Sequence, residues 1–200
     1  MKIYRSLGQT QNARFDPFLM LDEFCSENPD EYIGGFPPHP HRGFETFTYM
    51  ITGNLKHEDS MGNSGELNSG DLQWMTAGSG IIHSEMPLQK NGQMKGFQLW
   101  VNLPAKEKMQ SPKYKDIKSS QITHVEEGTT EIKIFAGNYK NNLGPIQGLS
   151  TMLEFYEIKI GIDEFILETS KSKNYFVYVF EGSIKMNNIK LDTRYGICFS

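Results

Sequence analysis

The segment PPHPHRGFETFTYM, residues 37–50, sets His39 and His41 two positions apart at the head of an alternating apolar run. In an extended strand, residues i and i+2 project to the same face, so one stretch of backbone can present two imidazoles to a single ion. A second segment, GDLQWMTAGSGIIHSEMP at residues 70–87, repeats that spacing with His83 and Glu85 after a Gly-rich turn. Either pair alone would also suit an exposed strand end that carries imidazoles. Together they form a set of three nitrogens and one oxygen with no soft sulfur, which fits Fe, Mn, Ni, Co or Cu in oxygen chemistry and also admits Zn. Glu45, four residues beyond His41, is a further carboxylate near the first pair, whereas His57 and His124 stand outside both pairs.

Strands must position these side chains. Short runs that alternate apolar and polar residues recur between clusters of Gly, Asn, Asp and Ser, the pattern of an all-β barrel or sandwich. The clearest predicted strands span residues 46–52, 54–60, 70–76 and 95–102, with Phe97, Leu99 and Val101 on one face of the last. Phe47, Met50, Trp74, Met75 and Trp100 alternate within these runs and read as barrel core. Pro38 and Pro40 remove backbone donors, which places the His39–His41 segment at a sheet edge or a strand entry.

Beyond Val101 the stretch LPAKEKMQSPKYKDIKSSQ is lysine-rich and weakly periodic, marking a connection. Strands are expected again over residues 131–137, 151–160, 164–169, 174–181 and 183–186. NYFVYVFEGSIKMNN echoes FETFTYMITGNLKHE in layout, which suggests a duplicated barrel. The predicted organisation is a metal-binding barrel at residues 1–103, a connection at 104–130 and a partial second barrel at 131–200. The second unit lacks a histidine pair, so the metal chemistry belongs to the first.

With 200 residues, a net charge of −4 and 22% charged residues, the chain has no general electrostatic reason to bind nucleic acid or anionic membrane. No run approaches the ~18 apolar residues of a membrane span, and the N-terminal stretch lacks the apolar centre of a secretory signal. A soluble cytoplasmic protein is expected. Cys25 and Cys198 are far apart in sequence and read as reduced thiols. GNSGELNSG has no Lys-Ser/Thr ending and no following helix, so it is no phosphate cradle.

Four segments, DPFLMLDEF (16–24), FPPHPHRGFETFTYMITG (36–53), HEDSMGN (57–63) and GDLQWMTAGSGIIHSEMP (70–87), resemble the pirin family of the cupin superfamily. The resemblance is dense from about residue 12 to residue 103. It implies two stacked β-barrels, the first holding one metal through His39, His41, His83 and Glu85. Glu45 occupies the position where many cupins place a carboxylate ligand. Since the resemblance gives that task to Glu85, Glu45 is expected behind the ligands with Arg42, supporting the imidazoles. Phe36, Phe44 and Met86 flank the ligands and are candidates to line a pocket.

The resemblance further implies a mononuclear dioxygenase of quercetin 2,3-dioxygenase type, with a divalent transition ion as cofactor. Fe(II) is the expected ion. The partners would be O2 and a small aromatic or enediol substrate, with Glu85 as general base. The same four ligands would equally serve a metal- or redox-responsive regulator of transcription factors or enzymes. Against the family pattern the second barrel ends a few strands early, an arrangement that a homodimer or a protein partner would cover.

Overall fold

The structure is a computed structural model that describes residues 1–8 and 15–200, so the start of the family resemblance near residue 12 falls outside the described residues. In chain order the first half contributes β1 (Ile3–Leu7), β2 (Phe18–Ser26), β3 (Phe36–His41), β4 (Phe44–Thr52) and β5 (Leu55–Asp59). It continues with β6 (Ser64–Leu67), β7 (Leu72–Thr76), β8 (Ile81–Pro87), β9 (Met94–Asn102) and β10 (Lys113–Ile117). Hydrogen bonding sorts them into a six-stranded sheet, in the order β1, β2, β9, β4, β7, β10, and a four-stranded sheet, in the order β3, β8, β5, β6. All the pairings are antiparallel.

The inner strands of the six-stranded sheet, β2, β9, β4 and β7, are largely buried on both faces, and side-chain alternation assigns each face a task. Towards the four-stranded sheet it turns Thr48, Met50 and Gln98. Met50 and Met94 join Phe24, Tyr32, Leu55 and Leu67 in one buried cluster at an end of the barrel. From its other face Phe47, Tyr49, Trp74, Phe97, Leu99 and Val101 enter a larger cluster with Phe135, Ala136, Ile146 and Leu153 of the second half. Two aromatic contacts secure that junction, Tyr49 to Phe135 at 4.6 Å and Phe47 to Phe155 at 6.0 Å between ring centroids. Lys133 adds polar bonds, donating to the Tyr49 hydroxyl at 3.0 Å and to Glu157 at 2.8 Å.

The lysine-rich stretch expected to be a plain connection contains β10, which pairs with β7 as an edge strand of the first barrel's large sheet. Three of its lysines are engaged: Lys108 donates to Gly43 and Asn102, Lys115 to Pro145 and Lys118 to Glu66 and Asp71.

The second half comprises β11 (Thr123–Glu127), β12 (Thr130–Ala136), β13 (Asn138–Tyr139), β14 (Asn142–Leu143), β15 (Phe155–Lys159), β16 (Tyr175–Tyr178), β17 (Ser183–Met186), β18 (Ile189–Asp192) and β19 (Gly196–Phe199). They form a three-stranded sheet, β11, β12, β15, and three two-stranded ribbons. Residues 164–169, expected as a strand, make no ladder: Phe165 and Leu167 pack against Ile132, Ile134 and Tyr139, yet no strand pairs with their backbone. Alternation there turns Phe165 and Leu167 inward, partly buried, without sheet bonding. No helix among the described residues is long and apolar enough to cross a membrane.

Candidate metal centre

β3 is the edge of the four-stranded sheet and, among the described residues, pairs only with β8. That position explains why FPPHPH tolerates its prolines, since an edge strand has one side on which no ladder bond is required. The β3–β8 register sets His39 opposite His83 and Phe36 opposite Glu85, with an irregularity between Phe36 and His39. β8 pairs on its other side with β5, which sets His83 opposite Asp59 and Glu85 opposite His57. Two cross-strand rows result, one of His39, His83 and Asp59 and one of Phe36, Glu85 and His57. Gly43 and Gly78, both at positive φ, shape the turns into β4 and β8, and their backbones are joined by a 2.8 Å hydrogen bond.

His39, His41 and His83 each bring a donor atom to one point, all within 4.8 Å of one another. The His39 and His41 Nε2 atoms are 3.0 Å apart, and His39 Nδ1 lies 2.8 Å from the carbonyl of Pro37. His83 Nδ1 lies 3.4 Å from His57 Nδ1, while His83 Nε2 is buried without a hydrogen-bond partner among the described residues. Burial, reinforced by neighbouring His39, pushes the His41 pKa down to about 4. Burial again, then the charges of His41, His39 and His57, pushes His83 down to about 2. Both rings are therefore neutral at neutral pH, the form that ligates a metal. A buried ring nitrogen with no partner is costly in a protein interior, and a cation that takes up its lone pair removes that cost. The residues fit a transition-metal ion.

Glu85 is not in the three-histidine group. Its side chain is buried and reaches the facing sheet, where Oε1 accepts from the Thr48 hydroxyl and Oε2 from the Gln98 amide, each at 2.8 Å. Gln98 is fixed in turn by Trp100 Nε1, which donates to its oxygen at 3.1 Å.

The other expected residues divide by strand face. Phe44 lies 5.1 Å from the His41 ring and 4.5 Å from Trp100, so it stands beside the histidines. Phe36 instead packs edge-on against Phe24 at the barrel end. Met86 alternates away from His83 and Glu85 and is 36% exposed, on the outward face of β8. Glu45, next to Phe44 in the strand, points to the opposite side of the sheet, where Oε1 accepts from Thr76 at 2.8 Å and from Trp74 at 3.3 Å. Burial raises its pKa, against the hydrogen bonds from Thr76 and Trp74. Arg42 donates to the Met109 sulfur. Among the described residues neither Glu45 nor Arg42 bonds to an imidazole of the group, so the support expected from them goes elsewhere.

Two residues beside the site were not singled out for it by the sequence. Trp100, expected as plain core, lies 5.0 Å from the His41 ring. His57, set aside as unpaired, is fully buried against His83 and stacks on Tyr114 at 4.6 Å. The period-2 spacing of Leu55, His57 and Asp59 was the available signal, since it sends all three to one face. Asp59 is cradled by Met61 N, Asn63 N and Asn63 Nδ2 and lies 3.4 Å from His57 Nε2. Its burial opposes charge, but hydrogen bonds from Asn63, His57 and Met61 hold its carboxyl below the usual range.

The site thus offers three convergent imidazoles, a nearby immobilised carboxylate and an aromatic wall of Phe44 and Trp100. Comparison with known proteins agrees with this architecture. The pirin family model matches residues 1–101. A pirin-like protein of Caulobacter vibrioides is 39% identical over 200 residues, covering 98% of this chain and 72% of its own. Human pirin is 45% identical over 137 residues, or 68% of this chain and 46% of the human protein. Among solved structures, a quercetin 2,3-dioxygenase from Acinetobacter baumannii superposes with a TM-score of 0.79 at 28% identity, covering 98% of this chain and 71% of that one. The all-β cupin architecture and these matches together establish that the chain belongs to the pirin family.

Proposed function

We propose that this chain is a mononuclear metal dioxygenase of the quercetin 2,3-dioxygenase type, opening a flavonol or a related enediol ring with O2 and releasing carbon monoxide. The observation that carries the reading is the convergence of the His39, His41 and His83 donor atoms within 4.8 Å. The likeness to the quercetin 2,3-dioxygenase of Acinetobacter baumannii supports it. His39, His41 and His83 hold the ion, and Glu85, one strand step from His83 on the same face, supplies the carboxylate. Fe(II) is the ion we assign. When bound, it would supply Lewis acidity and redox capacity beside the substrate hydroxyl that Glu85 deprotonates.

The chain's own residues do the rest. Glu85 takes the proton of the substrate hydroxyl at a carboxylate oxygen. Each oxygen accepts one hydrogen bond, from Thr48 or Gln98, and retains a second lone pair for that proton. Trp100, through Gln98, fixes the orientation of the carboxylate. Phe44 and Trp100 offer flat apolar faces that suit a planar aromatic substrate and exclude water from it.

The test follows the visible absorbance of quercetin in air. Protein reconstituted anaerobically with Fe(II), Mn(II), Ni(II), Co(II) or Cu(II) is compared with Glu85→Ala protein carrying the same ion. Decay that requires both the ion and Glu85 is expected. A well-folded, metal-loaded protein that leaves quercetin intact would overturn the proposal and favour a metal-responsive regulator instead.

A further inference from the structure

We infer that Asp59 and His57 form a relay that fixes the tautomer of His83 and so prepares its Nε2 as a metal donor, which makes both of them positioning residues. The inference rests on the metal-site reading above and extends it to two residues outside the ligand set.

The argument is one of hydrogen-bond polarity. Asp59 Oδ1 receives the backbone N–H groups of Met61 and Asn63, at 2.9 and 3.0 Å, and Oδ2 receives Asn63 Nδ2 at 2.8 Å. Surrounded by donors, the side chain acts as an acceptor towards His57 Nε2, 3.4 Å away. A His57 ring with a single proton holds it on Nε2, towards Asp59, and keeps Nδ1 as a lone pair, because such an imidazole has one donor and one acceptor. That lone pair faces His83 Nδ1 at 3.4 Å, so His83 carries its proton on Nδ1. His83 Nε2, the buried nitrogen without a partner, is therefore a bare lone pair. The opposite arrangement would set a His57 lone pair against the Asp59 carboxylate and bury an unpaired N–H at His83 Nε2. Both changes are unfavourable.

The relay is also braced by the facing six-stranded sheet. Tyr114 of β10 stacks on the His57 ring, and its hydroxyl is tied to Asp116 and Gln73. The rings cannot easily turn over within this packing, so the polarity set at Asp59 is transmitted rather than lost. A carboxylate that orients a metal-binding histidine directly is a common device. Here a second imidazole is interposed.

Asp59→Asn tests the inference because it reverses the polarity. The two backbone N–H groups at Oδ1 keep the amide oxygen on their side, which turns the amide nitrogen, a donor, towards His57 Nε2, and the Asn63 amide, which donates to Oδ2 in the wild type, turns over to accept from it. His57 then carries its proton on Nδ1, and His83 carries its own on Nε2, where it blocks metal.

The readout is long-range nitrogen–proton NMR of the histidines in the metal-free chain at neutral pH. The wild type is expected to show His83 as the Nδ1–H tautomer and His57 as Nε2–H, and Asp59→Asn to show both reversed. Co(II) affinity, measured by chelator competition, is expected to fall about 10- to 100-fold in the variant. A wild-type His83 that carries its proton on Nε2 would overturn the inference, and that spectrum decides the matter even if the variant fails to fold. An Asp59→Asn protein with unchanged tautomers and unchanged Co(II) affinity would overturn it as well. Expected tautomers and Co(II) binding in a protein that leaves quercetin intact would uphold the relay while removing the dioxygenase reading, so the two fail separately.

Discussion

Gln98 faces Glu85 across the inside of the first barrel, with its amide nitrogen 2.8 Å from Oε2, and its own amide oxygen is held by Trp100 Nε1 at 3.1 Å. The carboxylate is thereby fixed by the sheet opposite the one that carries it, which couples the packing of the barrel to the geometry of its chemistry. Removing the Gln98 donor leaves a buried charged oxygen unpaired, a loss of roughly 1.5–3 kcal/mol. Gln98→Leu should lower the urea midpoint accordingly and reduce metal-dependent quercetin turnover. Unchanged stability and turnover would show that Glu85 does not depend on this bond.

The pH dependence of the metal-free protein follows from His41 and His83. Burial sets their folded pKa values at about 4 and about 2, below the ordinary 6.5. Between the folded and ordinary values the unfolded chain binds more protons, so stability rises with pH there. Their contribution is complete above about pH 6.5. It is lost as pH falls, through about 4 for His41 and onward to about 2 for His83. Urea midpoints of metal-free wild type should drop more between pH 7.5 and 5.0 than those of His41→Gln/His83→Gln protein. Equal drops would mean that these rings are protonated in the folded state.

Glu45 has the opposite sign. Burial raises its folded pKa above the ordinary 4.5, so in the window above 4.5 the folded state holds the proton that the unfolded state has lost. Stability from this group is full below that window and declines as pH rises through it. Glu45→Gln should therefore gain on the wild type as pH increases from 4.5 to 8. A difference that does not change with pH would place an ionised carboxylate at this position.

The first-half histidine pairs were readable in the sequence because period 2 and the prolines of FPPHPH act locally: spacing sends His39 with His41 and His83 with Glu85, and proline marks an edge. The roles of His57 and Asp59 depend on which strand lies beside β8 and in what register, and no local pattern encodes that pairing. Glu45 was misplaced for a related reason, since it shares a strand with Phe44 but alternation carries it to the face that meets the second half. Strand β10 was hidden by lysines and prolines typical of a connection, although Tyr114 and Ile117 are packed and the next residue, Lys118, is bonded to Asp71.

The two halves share one apolar cluster, so they should unfold together. Phe135 is 1% exposed and packs on both Tyr49 and Phe155. Phe135→Ala should cost about 3–5 kcal/mol and shift a single unfolding transition. Tryptophan fluorescence reports the first half, which carries both Trp74 and Trp100, and far-ultraviolet circular dichroism reports all strands. Two separate transitions in the wild type would contradict the shared cluster.

The central claim, that three histidines of the first barrel hold one metal ion, is tested most directly by metal content. Wild type, His41→Ala and His83→Ala proteins would be loaded anaerobically with Fe(II), desalted and assayed for iron per chain. The account predicts one ion per wild-type chain and little retained by either variant. Stoichiometric iron in both variants would contradict it.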